Sequence, residues 1–203
     1  MKEPIAYKKE QSLYIETARQ KVIEVLFNYP DKEFSLTDLA NEANVKKANI
    51  GKILDGLDKI GFIEIIKLKS IWRIKANQQN IRFQRQKIIY NLNLIYSTNF
   101  LDVLITYFNH PKAIILFGSF RRGEDISGSD IDIAIENEDS AKDKSIKFRE
   151  LVEKDLRKEV IKFEEEIGRN IQVHLFNRKT IDAGLFNNIA NGIVLSGFLE
   201  VRP

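Results

Sequence analysis

Two neighbouring segments constrain the fold of this chain more than any other feature of its sequence. Residues 113–117 (Ala-Ile-Ile-Leu-Phe) form a short apolar run that ends in a Gly-Ser pair, and residues 130–135 (Asp-Ile-Asp-Ile-Ala-Ile) alternate acidic and apolar side chains at their start. The first run predicts a buried strand that leads into a turn. The second predicts a strand with Asp130 and Asp132 on one face and the isoleucines on the core face.

The paired carboxylates predict a metal site. Neighbouring carboxylates repel each other, and a divalent cation bound between them removes that cost. The sequence contains no cysteine and only two histidines, His110 and His174, which excludes thiolate sites and argues against a histidine-rich zinc site. A site built from oxygen ligands favours Mg²⁺ or Mn²⁺ as the cofactor, with Asp130 and Asp132 as its ligands.

The Gly-Ser pair predicts a phosphate-binding turn. Gly118 allows the backbone to approach a ligand closely, and Ser119 offers a hydroxyl and an amide. Arg121 or Arg122 would add a charge-assisted hydrogen bond to a phosphate. A Gly-Ser pair alone predicts little, so the weight of this prediction comes from its spacing to the two aspartates.

That spacing is typical of a known family. Gly118-Ser119, ten intervening residues and then Asp130-Ile131-Asp132 resemble the signature of the DNA polymerase β nucleotidyltransferase superfamily. The fuller string GSFRRGEDISGSDIDIAI most resembles its minimal nucleotidyltransferase branch, in which Arg-Gly-Glu follows the Gly-Ser and a serine, here Ser129, precedes the first aspartate. The resemblance covers residues 113–196, and it implies a mixed sheet with helices on one side.

The resemblance also implies an activity of the 2.7.7 transferase class. A nucleoside monophosphate would pass from a nucleoside triphosphate, with ATP expected, to an unidentified acceptor with release of pyrophosphate. Asp130 and Asp132 would be the catalytic metal ligands. The residues implied in nucleotide and phosphate binding are Gly118, Ser119, Arg122 and Ser129.

The third carboxylate of the family is missing from its expected position. Residues 171–176 predict a strand on which Gln172 matches that position, and an amide can neither act as a general base nor bind metal as a carboxylate does. His174 shares a face with Gln172 and could act as the base, or could be a hydrogen-bonded packing residue. Glu136, in phase with the two aspartates, is another candidate, although strand-end glutamates are usually solvated.

The first part of the chain predicts a second domain. Apolar side chains at helical spacing predict three helices, followed by two β-prone runs. The helices are predicted near residues 10–27, after Ser35 and over 45–60, and the strands over 62–68 and 71–74 with a Lys69-Ser70 turn. This order resembles the winged helix-turn-helix family over residues 35–75.

In that family the third helix enters the major groove of DNA and the wing contacts phosphates or the minor groove. Residues 1–112 contain 18 Lys and Arg against 12 Asp and Glu, whereas residues 113–203 contain 14 against 17, so only the first part suits a polyanion. A protein-interaction or dimerisation module is the alternative. The candidate DNA-binding residues are Lys46, Lys47, Asn49 and Lys52 on the helix, with Lys67, Lys69 and Arg73 on the wing.

The sequence therefore predicts an α+β protein in three parts: a winged helix-turn-helix domain (1–78), a connecting helical segment (79–110) and a polymerase β-like nucleotidyltransferase domain with a mixed sheet (111–203). The connecting segment breaks near residues 97–99. A homodimer is plausible for a small DNA-binding protein. No apolar stretch approaches the roughly 20 residues of a membrane span, and the first residues lack an apolar signal-peptide core, so we expect no membrane partner and a cytoplasmic location.

Two functions follow as alternatives. One is a metal-dependent nucleotidyltransferase that its winged helix directs to DNA or to a protein. The other is a DNA-binding transcriptional regulator or antitoxin-like protein whose nucleotidyltransferase fold is catalytically silent. The intact aspartate pair favours the first function, and Gln172 favours the second.

Overall fold

The structure is a computed structural model that describes Ile5 and residues 17–68, 71–137 and 143–201. The chain divides into two compact units. The N-terminal unit is Ser12–Tyr90, and the C-terminal unit comprises Asn91–Pro203 together with Ile5.

In the described residues before Ile81, the N-terminal unit contains three helices followed by an antiparallel hairpin. The side chain of Thr17 caps the first helix in a capping box with Gln20, and Ser35 caps the second by accepting from the amide of Asp38. These elements are α1 (Ala18–Asn28), α2 (Leu36–Glu42), α3 (Lys47–Lys59), β1 (Ile63–Leu68) and β2 (Ile71–Ala76).

One apolar core joins these elements. Leu26 of α1, Leu39 of α2 and Leu54 of α3 are fully buried, and Ile74 of β2 closes the cluster. The predicted order of helices and strands is therefore present, whereas membership of the winged-helix family stays a prediction. The predicted Lys69-Ser70 turn and the predicted start of the first helix lie outside the described residues.

Two helices occupy the predicted connecting segment. Helix α4 (Ile81–Tyr96) and helix α5 (Phe100–Tyr107) are separated at residues 97–99, where the sequence predicts a break. The division between the two units falls between Tyr90 and Asn91, inside α4. In the described ranges no helix combines the length and the apolar character that crossing a membrane requires.

A five-stranded sheet organises the C-terminal unit. Its strand order is β5-β6-β4-β3-β7, and of its four strand pairs only β4 with β6 is parallel, so the mixed sheet is confirmed. The elements are β3 (Ala113–Phe117), α6 (Gly118–Arg122), β4 (Ile131–Glu136), β5 (Lys144–Lys147), α7 (Phe148–Leu151), α8 (Lys154–Ile167), β6 (Ile171–Phe176), α9 (Ala183–Ala190) and β7 (Ile193–Gly197).

The two faces of this sheet are covered unequally. The isoleucines of β4 lie in the core, as predicted, and they pack there with α5, α7 and α8. The opposite face has a smaller cluster in which Ile189 of α9 packs with Ile115 and Phe117. The expectation of helices on one side only is therefore wrong. All five residues of β3 are buried, and its apolar side chains on the second face require cover, which α9 provides.

Candidate functional site

The turn after β3 lies directly against β4. Phe117 is paired with Asp132 in the antiparallel register. Gly118 has a φ of +75°, and a Cβ on it would lie 2.3 Å from Oδ2 of Asp132. Any other residue would be strained by this φ and would collide with the carboxylate. Glycine at this position therefore brings the backbone of the turn against Asp132.

The two aspartates lie together at the start of β4. Asp130 immediately precedes the strand and Asp132 is its second residue. The side-chain amide of Asn170 donates to Oδ1 of Asp130 over 3.0 Å, and Nε2 of His174 lies 3.2 Å from Oδ1 of Asp132. The Asp132 side chain is 27% exposed. Both carboxylates are therefore held by a neighbouring side chain and remain accessible to solvent.

This pair of carboxylates fits a magnesium ion whose coordination is completed by other ligands. The described ranges contain no group of three or more acidic, histidine or cysteine side chains arranged to hold a metal. Mg²⁺ is commonly bound by one or two carboxylates, with water and substrate phosphates as its remaining ligands. Asp130 and Asp132 would thus bind the ion together with a triphosphate, rather than as a closed protein site.

The residue next to Asp132 on the neighbouring strand is an amide. In the parallel pair of β4 and β6, Gln172 is beside Asp132. Its side-chain amide donates to Oγ of Ser145 over 2.7 Å. His174 packs edge-on against the ring of Phe117, with the ring centroids 4.9 Å apart, and also contacts Asp132. Gln172 and His174 thus lie beside the aspartates, and neither is a carboxylate.

Glu136 does not join this site. It is four residues further along β4 than Asp132, a separation of about 13 Å in an extended strand. Its side chain is 2% exposed and lies 3.8 Å from the ammonium of Lys112. Glu136 is therefore a buried, paired carboxylate at the other end of the strand, rather than a replacement for the third carboxylate.

The remaining predicted phosphate-binding residues surround the turn. Ser119 follows Gly118 in α6 and is partly exposed. Arg122 is ion-paired with Glu124 over 2.6 Å, and both side chains are half-exposed. Oγ of Ser129 accepts from the amide of Ile126 over 2.9 Å and so stabilises the loop before Asp130. Arg122 would have to release Glu124 before it could bind a phosphate.

Sequence reasoning missed a buried polar network that holds this loop. Arg169 and Asp125 are ion-paired over 3.2 Å, and their side chains are 4% and 1% exposed. Asn91 donates to Asp125 over 2.9 Å and to the carbonyl of Phe120 over 2.8 Å. The loop is thereby fixed to α4 and to the turn before β6. No local pattern marks these residues, since charged residues in loops are usually solvated.

Glu164 on α8 is a further buried carboxylate. Glu164 of α8 accepts from the amide of Ile171 over 2.8 Å and is ion-paired with Arg149 over 3.2 Å. Burial raises the pKa of Glu164, and the charge of Asp130 raises it further, while the Ile171 amide, Arg149 and Lys147 oppose the shift. No local pattern in the sequence indicates these interactions.

The candidate DNA-binding residues are arranged in two groups. Lys46, Lys47, Asn49 and Lys52 are all exposed at or on α3. On the hairpin, the Lys67 ammonium is 4.2 Å from the centroid of the Trp72 ring, and Arg73 is ion-paired with Glu33. Lys69 lies outside the described residues. The α3 group is therefore more accessible to a polyanion than Arg73.

One comparison with known proteins addresses the C-terminal unit. Residues 97–192 match the family model described as a nucleotidyltransferase domain. No curated protein has a significant sequence match to the chain.

Two solved structures of the heme sensor protein PefR also match. One, in complex with heme and carbon monoxide, is 19% identical, covers 45% of this chain and 57% of its own, and has a TM-score of 0.30. The other, from Streptococcus agalactiae in complex with heme, is 20% identical, covers 50% and 65%, and also has a TM-score of 0.30. The chain thus spans less than two thirds of either structure, and a similarity of this size does not establish a shared fold. The family match covers slightly less than half of the chain, and over residues 97–192 this chain is similar to a nucleotidyltransferase domain.

Proposed function

We propose that this protein is a metal-dependent nucleotidyltransferase that transfers a nucleoside monophosphate from a nucleoside triphosphate, with ATP as the expected substrate, to an acceptor. The domain match supports nucleotidyl transfer at the level of the family. The observation that carries the proposal is the contact of Gly118 with Asp132, which joins the phosphate-binding turn to the carboxylate pair.

In this proposal each residue has a defined task. Gly118 and Ser119 bind the triphosphate through backbone amides and a hydroxyl. Asp130 and Asp132 bind Mg²⁺ or Mn²⁺, which when present supplies positive charge against the charge that develops on the phosphates. Asn170 keeps Asp130 in one orientation through the hydrogen bond to its Oδ1. Arg122 would exchange Glu124 for a phosphate, and Ser129 supports the loop.

The N-terminal unit is proposed to bind DNA. The exposed α3 group supports this, because its four polar and basic side chains can contact phosphates or base edges. Such binding by a symmetric homodimer in the cytoplasm is part of the same proposal. A protein-interaction module is the competing role for this unit.

Gln172 supports a second candidate function. An amide at the third position, already bonded to Ser145, supplies no base. The protein would then be a DNA-binding regulator or antitoxin-like protein whose nucleotidyltransferase domain binds nucleotide or only maintains its fold. The first function requires transfer of a nucleoside monophosphate with release of pyrophosphate, and the second does not.

Turnover is tested with nucleoside triphosphates labelled at the α-phosphate, in the presence of Mg²⁺, DNA and a panel of acceptors. We expect pyrophosphate release and label transfer by the wild type, and neither by Asp130→Asn combined with Asp132→Asn. The matched control is Asp102→Asn combined with Asp155→Asn, two exposed aspartates on α5 and α8, which cover the other face of the sheet. Nucleotide binding without pyrophosphate release under any condition would support the silent domain instead.

A further inference from the structure

A row of side chains continues from the aspartates across the sheet. Gln172 is beside Asp132, and Lys147 of β5 is directly opposite Gln172 in the antiparallel register. Opposed residues in antiparallel strands point to the same face. Ser145 shares that face, as its hydrogen bond with Gln172 shows. The side of the site away from Gly118 is therefore formed by an amide, a hydroxyl and an ammonium.

The charge of this row is positive. Gln172 and Ser145 are neutral, and within the described part of the chain Lys147 has no ion-pair partner. The positive charge of Lys147 reaches Glu164, whose pKa it lowers, but the ion-pair partner of Glu164 is Arg149. A ligand beside Gln172 would thus meet a cation and hydrogen-bonding groups where a third carboxylate is expected.

This arrangement does not suit an acceptor hydroxyl. A hydroxyl must lose its proton as it attacks, and the neutral amide of Gln172 cannot accept it. Nε2 of His174 lies 3.2 Å from Oδ1 of Asp132, and a ring nitrogen that donates to a carboxylate cannot at the same time accept the proton of an acceptor hydroxyl. An oxygen that is already anionic needs no base. A carboxylate at position 172 would repel it, whereas Lys147 attracts it.

We propose that the acceptor is a phosphate monoester, whose oxygen is the nucleophile and which Lys147, Gln172 and Ser145 bind. This inference rests on the proposed transferase function. Phosphate monoesters are mostly dianionic at neutral pH, and lysine binds phosphate well as a point charge.

The step balances without a general base. A lone pair of the acceptor phosphate oxygen forms a bond to the α-phosphorus of the triphosphate. The bond from the α-phosphorus to the oxygen that bridges it to the β-phosphorus breaks, and pyrophosphate leaves with that electron pair. The product is a phosphoanhydride between the acceptor and the nucleoside monophosphate, and no proton is removed from the acceptor.

The binding of the acceptor is tested without turnover. The protein is saturated with Mg²⁺ and α,β-methylene-ATP, and inorganic phosphate is then titrated by calorimetry. Lys147→Gln should weaken the binding of phosphate by about tenfold or more, since a charged hydrogen bond is removed. The control, Lys158→Gln, removes an exposed lysine from α8 and should leave phosphate affinity unchanged.

The choice of nucleophile is tested with glycerol 3-phosphate, glycerate and glycerol as acceptors for α-labelled ATP. Wild type should use glycerol 3-phosphate in preference to glycerol. Gln172→Asp should reverse that preference, because it adds a base and repels the anion. Preference for glycerate would assign a carboxylate acceptor and would overturn the phosphate monoester.

Failure of this inference is distinguishable from failure of the transferase function. Equal use of glycerol and glycerol 3-phosphate, or an equal effect of Lys147→Gln and Lys158→Gln on phosphate affinity, would overturn the anionic acceptor while nucleotide binding stands. If the wild type does not bind Mg²⁺ and α,β-methylene-ATP at all, both the phosphate monoester acceptor and the transferase function are overturned.

Discussion

Gly118 is required both by the backbone conformation of the turn and by the position of Asp132. Its positive φ alone would penalise a side chain, and the carboxylate of Asp132 occupies the volume of a Cβ. Gly128 also has a positive φ, of +82°, but a Cβ there would meet no atom within 4 Å. A side chain at Gly128 would therefore cause backbone strain alone, whereas a side chain at Gly118 would cause the same kind of strain and would also displace Asp132.

Gly118→Ala should weaken Mg²⁺-dependent nucleotide binding by about tenfold or more, because Asp132 must move away from the turn. Both Gly118→Ala and Gly128→Ala should lose about 1–2 kcal/mol of stability from left-handed strain. Calorimetric titration of the nucleotide and urea unfolding measure the two effects. Equal loss of affinity in the two variants would show that the contact with Asp132 has no role.

Glu164 gives a prediction for pH. Its pKa in the folded protein is raised above the ordinary value of 4.5, mainly by burial. The stability that this carboxyl contributes is thus fully present below the unfolded pKa and is lost as the pH rises through the raised pKa. Glu164→Gln retains an acceptor for the Ile171 amide and removes the titration. The stability of wild type relative to this variant should fall as the pH rises above about 4.5.

Urea unfolding of both proteins across this pH range measures the difference. Glu159→Gln is the control, as another glutamate of α8 with partial exposure. A difference between wild type and Glu164→Gln that stays constant with pH would contradict the raised pKa.

Among single residues, those in local patterns could be predicted from the sequence. Asp130, Asp132 and Gly118 belong to a motif with fixed spacing, and Gln172 has a fixed phase on its strand. Asp125 and Arg169 could not be predicted, because they are 44 positions apart and only the folded chain brings them together. Whether such a pair is buried or solvated depends on the folded chain and cannot be inferred from either residue alone.

At the scale of elements, the buried network fixes the loop between α6 and β4. Arg169→Met should destabilise the protein by about 3–5 kcal/mol, since it removes one partner of a buried ion pair. Lys162→Met is the comparison, because Lys162 forms an exposed ion pair with Glu166 on α8 and should cost less than about 1 kcal/mol. Chemical denaturation followed by circular dichroism measures both. Equal effects would show that the Asp125–Arg169 pair contributes no more than a surface pair.

The elements themselves were largely predictable, but their arrangement was not. Alternation over residues 130–135 and helical spacing over residues 45–60 report which faces are buried, and both elements are present. The side of the sheet on which α9 packs depends on β3, which is apolar on both faces. Its five-residue run is compatible with either one or two covered faces, so the sequence did not exclude helices on one side only.

At the scale of the whole molecule, the N-terminal unit is proposed to supply the contact with DNA. Replacement of Lys46, Lys47 and Lys52 by Gln should weaken binding to random duplex DNA. The slope of log affinity against log salt should fall by about 0.9 for each phosphate that is no longer neutralised. Arg73→Gln should have a smaller effect, because Arg73 is already paired with Glu33. Fluorescence anisotropy over a range of KCl concentrations measures both.

Unchanged DNA affinity in the triple variant would contradict the DNA-binding role of α3, and absence of DNA binding by the wild type would favour a protein-interaction module.

The sequence predicted two folded regions from a change in charge and pattern. It did not predict that the division between the units lies inside α4, because a continuous helical pattern does not show which residues each core contacts.

The turn at Gly118 and the pair Asp130 and Asp132 are proposed to form one metal-dependent nucleotide site. The most direct measurement is the thermal stability of wild type and of Asp130→Asn combined with Asp132→Asn, with and without Mg²⁺ and each nucleoside triphosphate. A ligand at about 100 times its dissociation constant adds roughly 2.7 kcal/mol to the stability of the folded state. We expect such a shift in the wild type only when metal and nucleotide are both present, and none in the double variant. An equal shift in both proteins, or none in the wild type with any nucleotide, would contradict the claim.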